Sequence, residues 1–348
     1  MILSLFDKIS GFLDRRFLAV YWAPVAIGAA VPGLAWVFHD GLPKVVAAWE
    51  DLGAARQAVL VGVILLVITL LANLLQAFSV PIVQWYEGYL LPGWLARWSH
   101  AGQKLAWQRW KSLPSDSLEA RLAYNQYPFS DEHLAPTRLG NVFASAEEHP
   151  FRMLNIDSVL WWPRLFPLLP AEMKAQLDAV LLPVFGLLNL ATLLGLGALG
   201  ASIYLLAVDL RWWLFGAFFL GGPLLVRGCY EAAISQAVSY GDLVRSAFDL
   251  HRRKILIEMG IAAPDNLDDE LILWEVLNKW IDVSKIPPYQ WLARYRKNAA
   301  WKVRPWLAAP FFYNLKVPPA SPSGPVDEDV VLSGSLIIHL PGRGKKHG

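Results

Sequence analysis

The stretch 57–86, QAVLVGVILLVITLLANLLQAFSVPIVQWY, runs for thirty residues without one charged side chain. A helix rises about 1.5 Å per residue, so about 20 residues cross the ~30 Å hydrocarbon core of a bilayer. A helix on the surface of a soluble core keeps a polar face toward water, and this stretch has none. It reads as a transmembrane helix.

Working outward from it, Phe17 to Phe38 and Ala179 to Val208 are equally free of charge. A fourth run, Trp212 to Val226, is charge-free for only fifteen residues, but its apolar character continues past Arg227, Cys229 and Glu231 to Ala232, Ala233 and Ile234. Arg227 and Glu231 stand four apart, on one helical face, where they can neutralise each other. The expectation is an α-helical integral membrane protein with four transmembrane helices, arranged as hairpins over 17–80 and 178–235. Mainly helical cytoplasmic regions are expected over 81–177 and 236–317. Composition agrees: 17% of the 348 residues are charged, against roughly 25% in ordinary soluble domains, and 55% are hydrophobic.

Basic residues give the orientation. With the N-terminus inside, the outer connections are short and carry only Lys44, Arg56 and Arg211, while Lys8, Arg15, Arg16, Arg97, Arg164, Lys174 and Arg245 flank the spans on the inner side. Both termini are therefore expected to be cytoplasmic, in a plasma or inner membrane. Segment 1–16 is too long and too mixed in charge for a signal-peptide n-region. Its Ile2, Leu5, Phe6, Ile9, Phe12 and Leu13 recur at helical spacing, which predicts an amphipathic helix lying on the membrane surface or on the protein itself.

One cysteine, Cys229, excludes an internal disulfide and any Cys-based zinc or iron–sulfur site. The seven histidines form neither H-E-x-x-H nor an i, i+4 pair, so no metal and no cofactor are expected. In the insert, Trp85, Tyr86, Tyr89, Trp94, Trp98, Trp107 and Trp110 alternate with Arg97, Lys104, Arg109 and Lys111. Such interleaving can bind single-stranded nucleic acid, but beside a span it reads more simply as an interfacial aromatic belt. Thr137 is placed to cap a helix running through Glu148. Asp131, Glu132, His133, Glu147, Glu148, His149 and Asp157 supply acids and bases at no catalytic spacing, and no catalytic residue is assigned. The segment Trp161 to Pro170 is punctuated by Pro163, Pro167 and Pro170 and reads as an interfacial elbow.

Gly195, Gly197 and Gly200 spell G-x-G-x-x-G inside an apolar span, where no strand precedes them to make a dinucleotide site. They read as a thin helix face for close packing. After the fourth span the helical pattern continues to Gly260, and Asp265 or Asn266 caps a further helix with Leu267, Leu271, Trp274, Leu277 or Asn278, and Ile281 on its buried face. Arg294, Arg296, Lys297, Lys302 and Arg304 form a basic cluster suited to anionic lipid. A Pro- and Gly-rich linker begins the region 318–348, and Val330 to Leu340 is patterned as a short β element.

Within span two, Thr69, Asn73 and Gln76 fall at i, i+4 and i+7, a polar stripe in an otherwise apolar helix. Polar groups facing hydrocarbon lack partners, so the stripe is expected to face protein or water. The paired-hairpin layout with a cytoplasmic insert resembles bestrophin-like channels in topology. The expected function is an oligomeric channel gated by its cytoplasmic region, with Thr69, Asn73 and Gln76 lining the pore. A membrane-anchored scaffold is the alternative, and a membrane enzyme on an apolar substrate a second one. Expected partners are the lipid bilayer, further copies of the chain, and a protein bound through the cytoplasmic region or tail; nucleic acid is not expected.

Overall fold

The computed structural model describes residues 14–114, 116–208 and 211–281. The surface helix expected over 1–16, apart from its last residues, the basic cluster at 294–304, the linker and the β element at 330–340 lie outside the described residues. Among the described residues there are helices and no strand.

A π-helical turn, Leu18–Trp22, leads into α1, Ala23–Asp40. Short α2, Leu42–Glu50, joins it to α3, Gly53–Glu87. Then come α4, Gly93–Lys111, α5, Leu118–Tyr124, α6, Arg138–Leu154, and α7, Ser158–Leu165. Two long helices follow, α8, Ala171–Val208, and α9, Trp212–Glu258, and α10, Leu267–Ile281, closes the described part. Four helices are long and apolar enough to cross a membrane: the first with its π turn, Leu18–Asp40, then α3, α8 and α9. At 47 residues α9 extends about 70 Å. It carries the apolar half of the molecule into the polar half without a break.

The π turn has a chemical cause. In an α-helix the carbonyl of Val20 would accept from residue 24, but Pro24 has no N–H. Asn189 of α8, fully buried, supplies the missing donor through Nδ2 at 3.1 Å. The same crossing depends on glycine, since a Cβ on Gly28 would come within 2.7 Å of Leu193 Cβ and one on Gly197 within 2.7 Å of the Gly28 carbonyl oxygen.

Three cores run along the molecule. Trp22, Val25, Ala72 and Leu75 join α1 to α3. Val83, Leu139, Val184, Leu188 and Ile234 bring α3, α6, α8 and α9 together at one junction. The largest core gathers α6, α7, α9 and α10 around Trp161, Phe248 and Trp274. Trp161 and Trp274 meet edge to face at 5.1 Å and 80°, both fully buried. Such a pair adds about 1 kcal/mol beyond the area it buries.

The segment read as an interfacial elbow is therefore corrected. All but its last two residues belong to α7 and a 3-10 turn, Phe166–Leu168, with Trp161 and Leu165 in the heart of the helical body. Trp161 also donates through Nε1 to Asn278 Oδ1 at 2.7 Å. The buried face of α10 is shifted as well. Leu273, Trp274, Leu277 and Glu270 are enclosed, while Leu267 is exposed, because Arg252 and Arg253 of α9 draw Glu270 inward.

Candidate functional site

The polar stripe of α3 divides in two. Thr69 faces the π turn that leads into α1: its Oγ1 accepts from Trp22 Nε1 at 3.2 Å and donates to the Leu65 carbonyl at 2.8 Å. Asn73 is exposed and its Nδ2 reaches only the Thr69 carbonyl one turn back, at 2.8 Å. Gln76 is exposed and its side chain makes no hydrogen bond among the described residues. The helix turns Ala72, Leu75, Ser79 and Val83 inward, so Asn73 and Gln76 stand on its flank among exposed Leu66, Leu70, Leu74 and Phe78.

A second locus lies where α3 ends against α6. Gly88 caps α3 at φ +100°, and a Cβ on Gly140 would strike the Glu87 carbonyl, so backbone meets backbone there. Thr137 caps α6 as its position predicts, accepting from Gly140 N through Oγ1 at 3.1 Å; the helix runs beyond Glu148 to Leu154. This docking delivers Arg138 to α9. Glu231 then receives two arginines: Arg227 Nη2 lies 3.1 Å from its Oε1 and Arg138 Nη1 lies 2.7 Å from its Oε2. Tyr230 accepts from Leu139 N at 3.2 Å and stacks on Tyr86 at 5.8 Å.

Beside this cluster, α3, α8 and α9 enclose two adjoining grooves of about 500 and 490 Å³, both bordered by Trp85, Tyr86, Gly195, Leu199 and Val226. Gly195 is opposite Val226, and Gly222 is tight against Ala198, which fixes the register of α8 on α9.

The acids and bases of the insert are brought into structural pairs. His149 is held at both ring nitrogens, by Tyr124 Oη at 3.1 Å and Asp249 Oδ1 at 3.2 Å. Glu148 accepts from Phe129 N and Ser130 N and faces His133. Buried Arg245 donates to Asp242 at 2.7 Å and Ser145 at 2.9 Å. Among the described residues no group of three or more His, Cys, Asp or Glu is placed to hold a metal. Of the tryptophans read as a belt, Trp94 and Trp98 are exposed, whereas Trp107 and Trp110 donate to the carbonyls of Pro128 and Ala120 within the insert. Burial raises the Tyr127 phenol, and it lowers Lys111, which lies over the rings of Trp107, Trp110 and Phe129. The partnership of Arg138 with Glu231 has no sequence signal, since 93 positions separate them.

Comparison with protein-family models, with curated proteins and with solved structures finds no match to this chain.

Proposed function

We propose that this is a multi-pass membrane protein whose copies assemble through the Asn73 and Gln76 flank of α3 into a channel, with the helical body on the cytoplasmic side as its gating part. The membrane reading is supported by α3 itself. Its most apolar window has a mean hydropathy of 2.9, yet only 11% of that window is buried. An apolar surface of that extent needs an apolar medium or other protein around it. The topology draws its support from α9, which runs without interruption from its apolar first half into the helical body it shares with α6, α7 and α10.

The observation that carries the channel reading is the exposure of Asn73 and Gln76 within that surface. Two amides toward hydrocarbon would each forgo hydrogen bonds, at about 1–3 kcal/mol on protein scales. Copies arranged around an axis bring these amides together and give them water. The test is ion flux from vesicles reconstituted with the purified protein. Wild type is expected to conduct, and Asn73→Leu to reduce flux severalfold while the assembly persists. No flux in wild type across ligand, voltage and pH, or loss of assembly with unchanged flux, overturns it. The scaffold reading has its own support in Thr69, whose bond to Trp22 shows one member of the stripe joining helices within a single chain.

A further inference from the structure

We infer that the groove between α3, α8 and α9 is a binding site for one anionic phospholipid, with the phosphate held at Arg227 and an acyl chain laid along α9 toward the middle of the membrane. The inference rests on the membrane reading above and concerns a surface separate from the Asn73 flank.

The charge balance comes first. Arg227 and Arg138 share the single carboxylate of Glu231, which leaves one positive charge over. The Arg227 side chain is 73% exposed, whereas Arg138 is further held by Gln126. Arg227 is therefore the cation with room for an anion. It lies fifteen residues along α9 from Trp212, a rise of about 22 Å, which leaves its backbone about 8 Å short of the inner boundary of a ~30 Å hydrocarbon core, within reach of a long side chain. Arginine at that depth reaches its head group toward the interface while its stem stays in the apolar layer.

The shape agrees with the charge. From Arg227 the groove climbs past Val226, Pro223, Phe219 and Phe218 on α9, with Leu199 on α8 facing them. Nine residues separate Phe218 from Arg227, so this apolar track extends about 13 Å. Ala198 and Gly195 of α8 line it as well, and the close fit of Gly222 on Ala198 holds the two helices that form it together. Trp85 and Tyr230 stand at the charged end, where amphipathic rings favour the head-group level. A site basic at one end and apolar along the rest fits an amphiphile with an anionic head. A free anion would leave the track empty, and a zwitterionic lipid, whose own cation offsets its phosphate, would leave the surplus positive charge of the two arginines over Glu231 uncompensated. An inner leaflet rich in anionic lipid supplies the occupant.

Native mass spectrometry of the delipidated protein in detergent reads this directly, with phosphatidylglycerol and phosphatidylcholine of identical chains as probes and glycerol phosphate as the chainless control. One phosphatidylglycerol per chain is expected, preferred over phosphatidylcholine by about fivefold, the scale set by one basic residue near an anionic surface. Arg227→Gln should remove the preference and Arg227→Lys keep most of it. Glu231→Gln should raise the preference above wild type, a gain that misfolding cannot imitate. Leu199→Trp, which fills the track, should lower binding of both lipids, and glycerol phosphate should not bind. Equal binding of the two lipids, a preference unchanged in Arg227→Gln, or tight binding of glycerol phosphate overturns the proposal. So does a Leu199→Trp variant that loses self-association but keeps its lipid, since a second copy would then be the occupant. Carbonate extraction of cell membranes separates the two readings: a protein released by carbonate refutes the membrane assignment, and one retained without lipid preference refutes the site alone.

Discussion

Arg138 Nη1 lies 2.7 Å from Glu231 Oε2, joining the first turn of α6 to α9 across 93 positions of sequence. Because Glu231 also meets Arg227 at 3.1 Å, its removal strands two guanidinium groups. Glu231→Ala should therefore destabilise the protein more than Arg138→Ala. A double-mutant cycle between Arg138 and Glu231 should return a coupling of about 1 kcal/mol, near the upper end for partly exposed pairs. Thermal unfolding in detergent measures it. A coupling near zero would mean that this ion pair adds nothing to the docking of α6, which then rests on the apolar junction around Leu139 and Val142 and on its other polar contacts with α9.

Asn189 and Pro24 are linked through the Val20 carbonyl. Asn189→Leu removes the donor that replaces the absent N–H of Pro24, and should cost about 1 kcal/mol of stability. Pro24→Ala restores a backbone donor, so the double variant should be more stable than Asn189→Leu alone. Should the two losses simply add, the bond between Asn189 and Val20 is not compensating for the proline.

Glu270 gives the helical body an acid limit. It is fully buried; burial opposes ionisation, but hydrogen bonds from Arg252 and Arg253 outweigh it and hold the carboxyl below its ordinary value of 4.5. A depressed folded value means that the associated stability is fully present above about pH 4.5 and fades as the pH falls through the lower folded value. Glu270→Leu should cost about 3 kcal/mol near neutrality, because two arginines lose their shared partner. It should also flatten the acid limb of a melting-temperature profile. An acid limb identical to wild type would place the sensitivity elsewhere.

Orientation is testable by thiol labelling in a Cys229→Ala background. Asp51→Cys, in the short connection after α2, should react with an impermeant reagent from outside, and Asp116→Cys, before α5, only after the membrane is opened. Labelling of both from the same side removes the paired-hairpin arrangement.

The parts of this fold that can be read from sequence are those written in local composition. The long helices announce themselves through runs of apolar residues free of charge, and Thr137 and Gly260 mark helix ends through their own chemistry. What cannot be read locally is which apolar surface is buried within the chain and which is left exposed. Trp161 and Trp98 look alike in sequence, yet one is sealed against Trp274 and the other stands exposed. Pro163 suggested a break, but α7 accommodates it, since packing of Trp161 and Leu165 holds the turn where a hydrogen bond is missing. The candidate site shows the same division. Periodicity pairs Arg227 with Glu231, while Arg138 reaches them only through the docking of α6, and the stripe splits because Trp22 engages Thr69 while Asn73 and Gln76 stand exposed.

That split yields the most discriminating prediction for function. Thr69 and Asn73 lie one turn apart on α3, but the first is engaged within the chain and the second faces away from it. Thr69→Val removes the acceptor for Trp22 Nε1 and should lower stability by about 0.6 kcal/mol, the average for an interhelical bond in a membrane. It should leave the number of subunits unchanged. Gln76→Cys in the Cys229→Ala background should instead cross-link to a second copy under mild oxidation, because the flank it occupies is open in the single chain. Asn73→Leu should weaken flux without weakening the fold. If Thr69→Val and Asn73→Leu produce the same loss of stability, and Gln76→Cys stays monomeric, then the stripe joins helices within one chain and the protein conducts nothing through it.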